Sequence, residues 1–517
     1  MESSAISTES LQDAPAGPDA SPHPIWNFAF GLAWVAIYFT ALLPRARDKP
    51  FWYDEIFTWH LARLPSLGRL WECLREGTDP NPPLYYAAAH LMHEILGAAP
   101  WTTRLPAMLG YLLMSLCLYR FARRRVSGVF AWTAATFPLI TEASSYAIEA
   151  RAYGLVLGLG ALALLCWQVA AEEVGFKRGL ALILLPLSLA AAVASHYFAV
   201  LLFIPIGVGE LCRSWHRKKI DVALWCSLIA GLLPLGVLYQ LIKGATSYKG
   251  AFWSKPGWSF VLLCYAQLFE KSAIPITAIG LLIALDARYP YRWRRAEVPG
   301  ADMGAPAAIP TYEYAAAMTY VLLPLIGLAF ARVAAGGAFT ERYTLAFVYG
   351  FGLLVAYSTA RLGSRRRYLA AMITACCLGW FAGFEMLLHQ RDGAAINRIT
   401  AADFPRADST DEPLVISWSV MFLQAKHELP RSLADRTYFL CGGGSTDEAA
   451  LKKLNDLVKL NVQNFEPFVA EHKKFFLCGF SNDYVLQELM KSRAKLTYLG
   501  ARRFRHGEVL IFEVDCS

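Results

Sequence analysis

Two adjacent carboxylates, Asp54 and Glu55, stand in the stretch RDKPFWYDEIFTWH (residues 47–60), directly after an apolar segment long enough to cross a bilayer. Charge at a membrane edge is costly unless it is paired or used. Ringed by Phe51, Trp52, Tyr53, Phe57 and Trp59, a carboxylate there can serve as general base toward a substrate hydroxyl arriving from outside. The plainer reading is a solvated helix start, where acids complement the helix dipole. Further along the same loop, TDPNPPLYY (78–86) sets Asp79 and Asn81 before a proline pair, with Tyr85 just behind. A residue before proline is pushed out of the α region, so this is a rigid turn opening a helix, for which capping is the plainer role.

The third group is cationic: Arg104 in RLPAMLG, Arg151 in EARAYG, Lys243, Lys249 and Lys255 in KGATSYKGAFWSKPGW, and Arg342 in ERYT. Isolated cations at a membrane edge can be snorkelling anchors, and local pairs Glu149–Arg151 and Glu341–Arg342 are open to two of them. Such pairs leave unexplained why so many cations gather on the side of the acidic pair. A bound anion explains it better, since Arg grips phosphate bidentately. Tyr153, Tyr197 and Tyr343 adjoin these positions, and His196 in SHYF (195–198) reads as a hydrogen-bonded interfacial residue, with a divalent metal left open. No other cofactor is called for.

Together these residues describe glycosyl transfer. A lipid phosphate sugar would rest its phosphate on Arg and Lys while a carboxylate on the opposite face takes the acceptor proton. Glycosidases need two carboxyl groups because an alcohol leaving group must be protonated. A phosphate leaves as a stable anion, so one base with cationic stabilisation suffices. Single displacement with inversion is the expected outcome.

The elements that must position these groups are membrane spans. Of 517 residues, 56% are hydrophobic and 17% charged, against about 25% charged in soluble domains. The +8 net charge comes in short clusters between apolar spans, which argues against nucleic acid as a partner. Residues 1–24, rich in Ser, Ala, Pro and Asp, read as a disordered cytoplasmic tail. About eleven spans are expected, near 25–44, 104–121, 128–145, 151–171, 178–195, 197–212, 220–242, 262–286, 312–333, 342–361 and 368–389. The segment 83–97 is read as an amphipathic surface helix, because only then do the basic clusters at 120–125, 175–178, 213–219, 288–295 and 361–367 share one side. Positive-inside makes that side cytoplasmic. The acidic pair and everything from residue 391 then lie outside.

From ADSTDEPLVISWS onward the composition is that of a soluble domain. Strands are expected at 413–417, 437–442, 474–479 and 508–514, with helices at 446–460 and 482–493. This alternation implies a small extracytoplasmic α/β domain (391–517) with a largely parallel sheet. Cys441 and Cys478 each end a strand and read as buried thiols, a disulfide being the alternative. The eleven cysteines show no metal-ligand spacing, and CGGGST lacks the spacing of a nucleotide fingerprint.

The order Asp-Glu after the first span, D-x-N-P-P-L-Y-Y, R-L-P, E-A-R-A-Y-G, H-Y-F and a late E-R-Y resembles the GT-C glycosyltransferases. In particular it resembles bacterial relatives of protein O-mannosyltransferases and of lipid A aminoarabinose transferases, over residues 25–390. The resemblance implies a mainly α, polytopic inner-membrane bundle, a polyprenyl-phosphate sugar donor, and a glycan, lipid or protein acceptor. It also implies a catalytic Asp at Asp54 with Glu55 beside it, and Arg151 and Arg342 near the donor phosphate. Where the family often has His or Lys before Pro-Pro, this chain has Asn81. The rival readings are a polytopic transporter of a lipid-linked or anionic substrate, and an anchored scaffold whose α/β domain binds a polymer.

Overall fold

The computed structural model describes residues 24–246, 254–288, 309–361, 367–393, 398–444, 446–504 and 507–517. Lys249 and nearly all of the expected N-terminal tail lie outside these residues, as do most of the basic clusters at 288–295 and 361–367.

The first half is helical: α1 (Pro24–Asp48), α2 (Tyr53–Ala62), α3 (Leu67–Arg75), α4 (Leu84–Leu96), α5 (Pro100–Arg123), α6 (Gly128–Thr136), α7 (Tyr153–Glu172), α8 (Gly175–Ser195) and α9 (Phe203–Arg217). Pro100 opens α5 at a position that needs no N–H, and the Thr102 hydroxyl accepts from Ala99 N at 2.9 Å. Helices α5 and α7 touch backbone to backbone: a Cβ added at Gly110, Gly154 or Gly158 would collide with the facing main chain. That contact fixes the 149–153 turn, at the start of α7, against the start of α5.

Among the described residues, six helices are long and apolar enough to cross a membrane. A seventh arises if Thr311–Val321 and Leu323–Ala334, bent by 60°, count as one. The remaining expected spans are short or interrupted. Pro138 turns the end of α6 into a 3₁₀ segment, and Pro234 and Pro324 each open a new helix after a break. The expected 262–286 span is divided at Glu270–Ser272, where Lys271 pairs with Glu142 at 3.1 Å.

The helix ends nonetheless sort into two layers. At one, Arg45 holds Glu385 (3.0 Å) and Asp392 (2.6 Å), tying the C-terminal ends of α1 and of helix Arg367–Asp392. At the other, Arg124 pairs with Glu172 and Glu173, Arg125 with Glu313, Arg178 with Asp221, and Arg213 with both Glu210 and Asp221. Asp54 belongs to the first layer. Helix α4, expected as a surface helix, has 13 residues and spans about 20 Å, too short for about 30 Å of hydrocarbon. Tyr85, Tyr86, Ala89 and His93 face inward while Leu91, Ile95 and Leu96 are exposed.

The C-terminal sheet has six strands, β1 (Leu414–Ile416), β2 (Thr437–Cys441), β3 (Val462–Asn464), β4 (Lys474–Gly479), β5 (Lys495–Phe504) and β6 (Gly507–Asp515), in the order β3-β2-β1-β4-β6-β5. The sheet is mixed rather than largely parallel: β3, β2, β1 and β4 run parallel, and β6 and β5 join antiparallel. The sequence reading missed β3, which is three residues long, and β5, whose charged residues break the apolar alternation. Cys441 and Cys478 are buried free thiols, because β1 lies between their strands.

One sheet face, carrying Phe476, Cys478, Val509 and Phe504, shares a core with Phe51, Phe57 and Trp59 around α2. The other, carrying Val415, Leu477 and Val514, packs under Phe468 and Leu489. Gln424 of helix Ser419–Glu428 donates to Phe51 O at 3.0 Å, and Arg398 to Asp48 O at 2.7 Å. The small domain is thereby seated on the Asp54 layer.

The layering predicts labelling from opposite sides. In a cysteine-depleted background, Glu94→Cys should react with an impermeant maleimide in intact cells and Lys218→Cys only after permeabilisation. Reversed labelling would invert the orientation, and labelling of both from one side would break the layering.

Candidate active site

The acidic pair divides its labour. Glu55 is fully buried and takes both Arg104 contacts, Nε to Oε1 at 2.9 Å and Nη2 to Oε2 at 3.1 Å. The backbone N–H groups of Trp52 (2.9 Å) and Ala150 (2.8 Å) also donate to it, and Lys49 Nζ lies 3.7 Å away. Burial alone would raise its pKa, but Arg104 and Lys49 overcome this and hold it at about 2. The rest of the Arg104 guanidinium donates to the carbonyls of Ala46, Lys49 and Pro50. Glu55 was expected at the catalytic position and Arg104 at a bound anion; the structure joins them to each other beneath the site, with the Arg104 donors consumed.

Asp54 points the other way. Its carboxylate is partly exposed and lies 3.8 Å from Arg342 Nη1. Its carbonyl accepts from Arg151 Nη1 at 3.2 Å, and the same nitrogen reaches Asp79 Oδ2 at 3.0 Å. Asp79 is buried, and its other oxygen accepts from Asn81 N (3.0 Å) and Nδ2 (2.6 Å). Burial works against the charge on Asp79, yet Arg151 and Asn81 keep its pKa below the ordinary value. So Asp79 holds Arg151, and Arg151 holds the first turn of α2. The local pairs considered from sequence do not form: Arg151 goes to Asp79 rather than Glu149, and Arg342 to Asp54 rather than Glu341, which meets Tyr146.

Arg342 sits in a 3₁₀ turn with its guanidinium 5.6 Å from the Tyr153 ring centre. Its buried Nε has no hydrogen-bond partner. Tyr343 and His196 pack at 4.9 Å between ring centres, and Tyr153 and His196 at 5.4 Å. Burial, then Arg151 and Arg342, push the His196 pKa down to about 3, so His196 is a neutral packing partner. Tyr85 donates to Thr103 O at 3.0 Å, bracing α4 on α5, and Tyr197 packs with Leu61, Leu70 and Tyr86. Lys243 and Lys255 are exposed, Lys255 next to the Gly337 turn. Among the described residues no three His, Cys, Asp or Glu side chains converge as metal ligands.

Beside Arg342 opens a cavity of about 310 Å³ between the helical bundle and the small domain, within the range of about 300–1,000 Å³ typical of small-molecule sites. Lys49, Glu142, Glu149 and Arg342 line one side, and Trp418, Met421, Gln424 and Phe504 of the small domain line the other. Burial raises the Glu149 carboxyl above its ordinary pKa, opposed by Lys49 and Arg342. Lys49 and Glu149 escaped the sequence reading although both stand in quoted motifs: Lys49 was given no role, and Glu149 was read as a local partner of Arg151. No sequence signal marked Trp418 or Gln424.

The family model described as dolichyl-phosphate-mannose-protein mannosyltransferase matches residues 80–221. Two solved structures of ArnT from Cupriavidus metallidurans share the fold. The one bound to undecaprenyl phosphate superposes with TM-score 0.58 at 12% identity, covering 95% of this chain and 98% of that one. The apo form gives 0.59 at 12%, covering 94% and 97%. No curated protein matches in sequence. The chain thus resembles the GT-C glycosyltransferases of the ArnT and protein-mannosyltransferase kind.

The two depressed pKa values make the fold acid-labile. Against an ordinary 4.5, Glu55 at about 2 contributes stability that is complete above pH 4.5 and lost as pH falls toward 2. His196, at about 3 against 6.5, is protonated in the unfolded chain before it is in the folded one, so stability also falls as pH drops from 6.5 to 3. The unfolding midpoint should therefore fall across this range. Glu55→Gln should lower the midpoint at pH 7, since breaking a buried pair costs about 3–5 kcal/mol, and should flatten the fall below pH 4.5. An unchanged pH slope would remove the role given to Glu55.

Proposed function

We propose that this GT-C-fold protein transfers a sugar from a polyprenyl-phosphate donor to an acceptor hydroxyl or amine on the outer side of the cytoplasmic membrane. The observation that carries this reading is the Asp54 carboxylate 3.8 Å from Arg342 Nη1, Arg342 in turn lining a cavity that also holds Lys49. Arg342 keeps a buried, unpartnered Nε, and a donor phosphate would satisfy it while Lys49 adds a second positive charge. Asp54, partly exposed and braced through its backbone by Arg151, is free to turn its carboxylate to the acceptor. As the acceptor oxygen attacks the anomeric carbon, the bond to the phosphate breaks and Asp54 takes the acceptor proton. The departing phosphate carries the charge between Arg342 and Lys49. One displacement inverts the anomeric carbon.

The bent pair Thr311–Val321 and Leu323–Ala334 favours a second reading, transport, because transporters bind substrates at broken helices. The same reconstitution separates the two. In proteoliposomes supplied with polyprenyl-phosphate sugars, transfer consumes the donor and labels an acceptor, whereas transport moves the lipid intact. Asp54→Asn should lower turnover by about 10²–10⁴-fold with donor binding nearly unchanged. Arg342→Ala should weaken donor binding about tenfold or more, as expected for a lost charged hydrogen bond. Full turnover by Asp54→Asn would reject the general-base role.

A further inference from the structure

The layer opposite Asp54 carries charges that the transfer mechanism does not use. Asp221, which caps helix Val222–Ala230, accepts from Arg178 Nη2 at 2.7 Å and from Arg213 Nη2 at 3.0 Å. Arg178 also donates to Ala170 O at 2.9 Å, and Arg213 to Ala171 O at 3.3 Å. One carboxylate therefore gathers the turn between α7 and α8 and the turn after α9 into a single patch. The neighbouring acids are consumed in the same way: Glu210 is fully buried against Arg213 and Trp167, and Glu173 meets Arg124 at 2.9 Å.

Four cations of the two turns, Lys177, Arg217, Lys218 and Lys219, remain exposed. Lys177 lies 4.0 Å from Glu173; the other three meet no carboxylate among the described residues, the nearby Asp221 being taken by Arg178 and Arg213. The turn after α9 does not need their side chains. Lys218 N–H bonds to Trp215 O and Lys219 N–H to Ser214 O, both at 3.2 Å, so main-chain bonds close it. Lys218 moreover sits in the left-handed region at φ 50°, where glycine is the usual residue because a side chain is strained there. Phe176 and Trp215 adjoin these cations in sequence and are 84% and 85% exposed. Gly175–Ser195 and Tyr197–Arg217 each have 21 residues and are apolar enough to cross a membrane, at about 1.5 Å per residue roughly the hydrocarbon thickness. Phe176 opens the first and Trp215 closes the second, which puts both rings at headgroup level, where exposed aromatics settle.

We propose that this patch binds the headgroups of anionic phospholipids in the leaflet opposite the active site. Its acids are turned inward onto buried arginines while its lysines and Arg217 face out, so the surface offered to a ligand is positive. A zwitterionic headgroup brings no net charge to match it. A soluble polyanion would meet the cations but leave Phe176 and Trp215 in water, whereas a lipid covers both at once, phosphate on the cations and glycerol and upper acyl chain on the rings. Each basic residue held at an anionic bilayer surface strengthens binding roughly fivefold. Binding there does not depend on the transfer reading, since neither turn contributes a residue to the cavity beside Arg342.

The test titrates the full-length protein in detergent with phosphatidylglycerol or phosphatidylcholine of the same chain length and counts retained lipid by native mass spectrometry. Wild type should retain phosphatidylglycerol at least tenfold more strongly. The triple variant Arg217→Gln, Lys218→Gly and Lys219→Gln should bring that ratio down at least tenfold while keeping the unfolding midpoint in phosphatidylcholine, since glycine suits the left-handed position. Trp215→Ala should weaken phosphatidylglycerol severalfold with all charges in place. Removing three exposed cations of the small domain, by Lys459→Gln, Arg493→Gln and Lys495→Gln, should leave the ratio at its wild-type value. Equal retention of the two lipids by wild type, an equal loss from the small-domain triple, or stronger binding of soluble polyphosphate than of phosphatidylglycerol would overturn the proposal.

Discussion

The site depends on one buried contact, the Glu55–Arg104 pair. A carboxylate and a guanidinium removed from water lose several kcal/mol of hydration each and recover it only with full hydrogen bonding. Here the recovery is complete in kind: Glu55 accepts from Arg104, Trp52 and Ala150, and Arg104 spends its remaining donors on three carbonyls at the end of α1. Four segments, the α1 end, the start of α2, the start of α5 and the 149–153 turn, therefore meet at one point. Removing any of them would strand a buried charge.

That constraint determines where Asp54 points. Neighbouring helical residues project about 100° apart, so anchoring Glu55 downward turns Asp54 toward the open side. Asp79 and Arg151 add a second brace on the same turn. The charges come in pairs of which one is tied into the fold and the next is less enclosed: Glu55 beside Asp54, Arg151 near Arg342. Glycine-mediated contact between α5 and α7 carries the arrangement into the bundle, since it holds both loops to one backbone distance.

The small domain is part of the same construction. Its core continues into α2 through Phe51, Phe57 and Trp59, and its helix Ser419–Glu428 supplies the far wall of the cavity through Trp418, Met421 and Gln424. The cavity thus draws its charged groups from the bundle and its aromatic and amide groups from the domain.

Much of this was legible in the chain. Apolar length and the basic clusters gave the helical bundle and its layering, because lipid admits no unsatisfied backbone. The motifs around Asp54, Asp79, Arg151 and Arg342 marked residues that the fold does bring together. The C-terminal alternation of strand and helix signalled an α/β domain, though not the short β3 or the charged β5. What sequence could not assign was the use of each charge. Adjacent in sequence, Glu55 and Asp54 look alike, and so do Arg104 and Arg342. Which is buried and which stays partly exposed is settled by partners 49 and 288 positions away, and only packing brings those partners together.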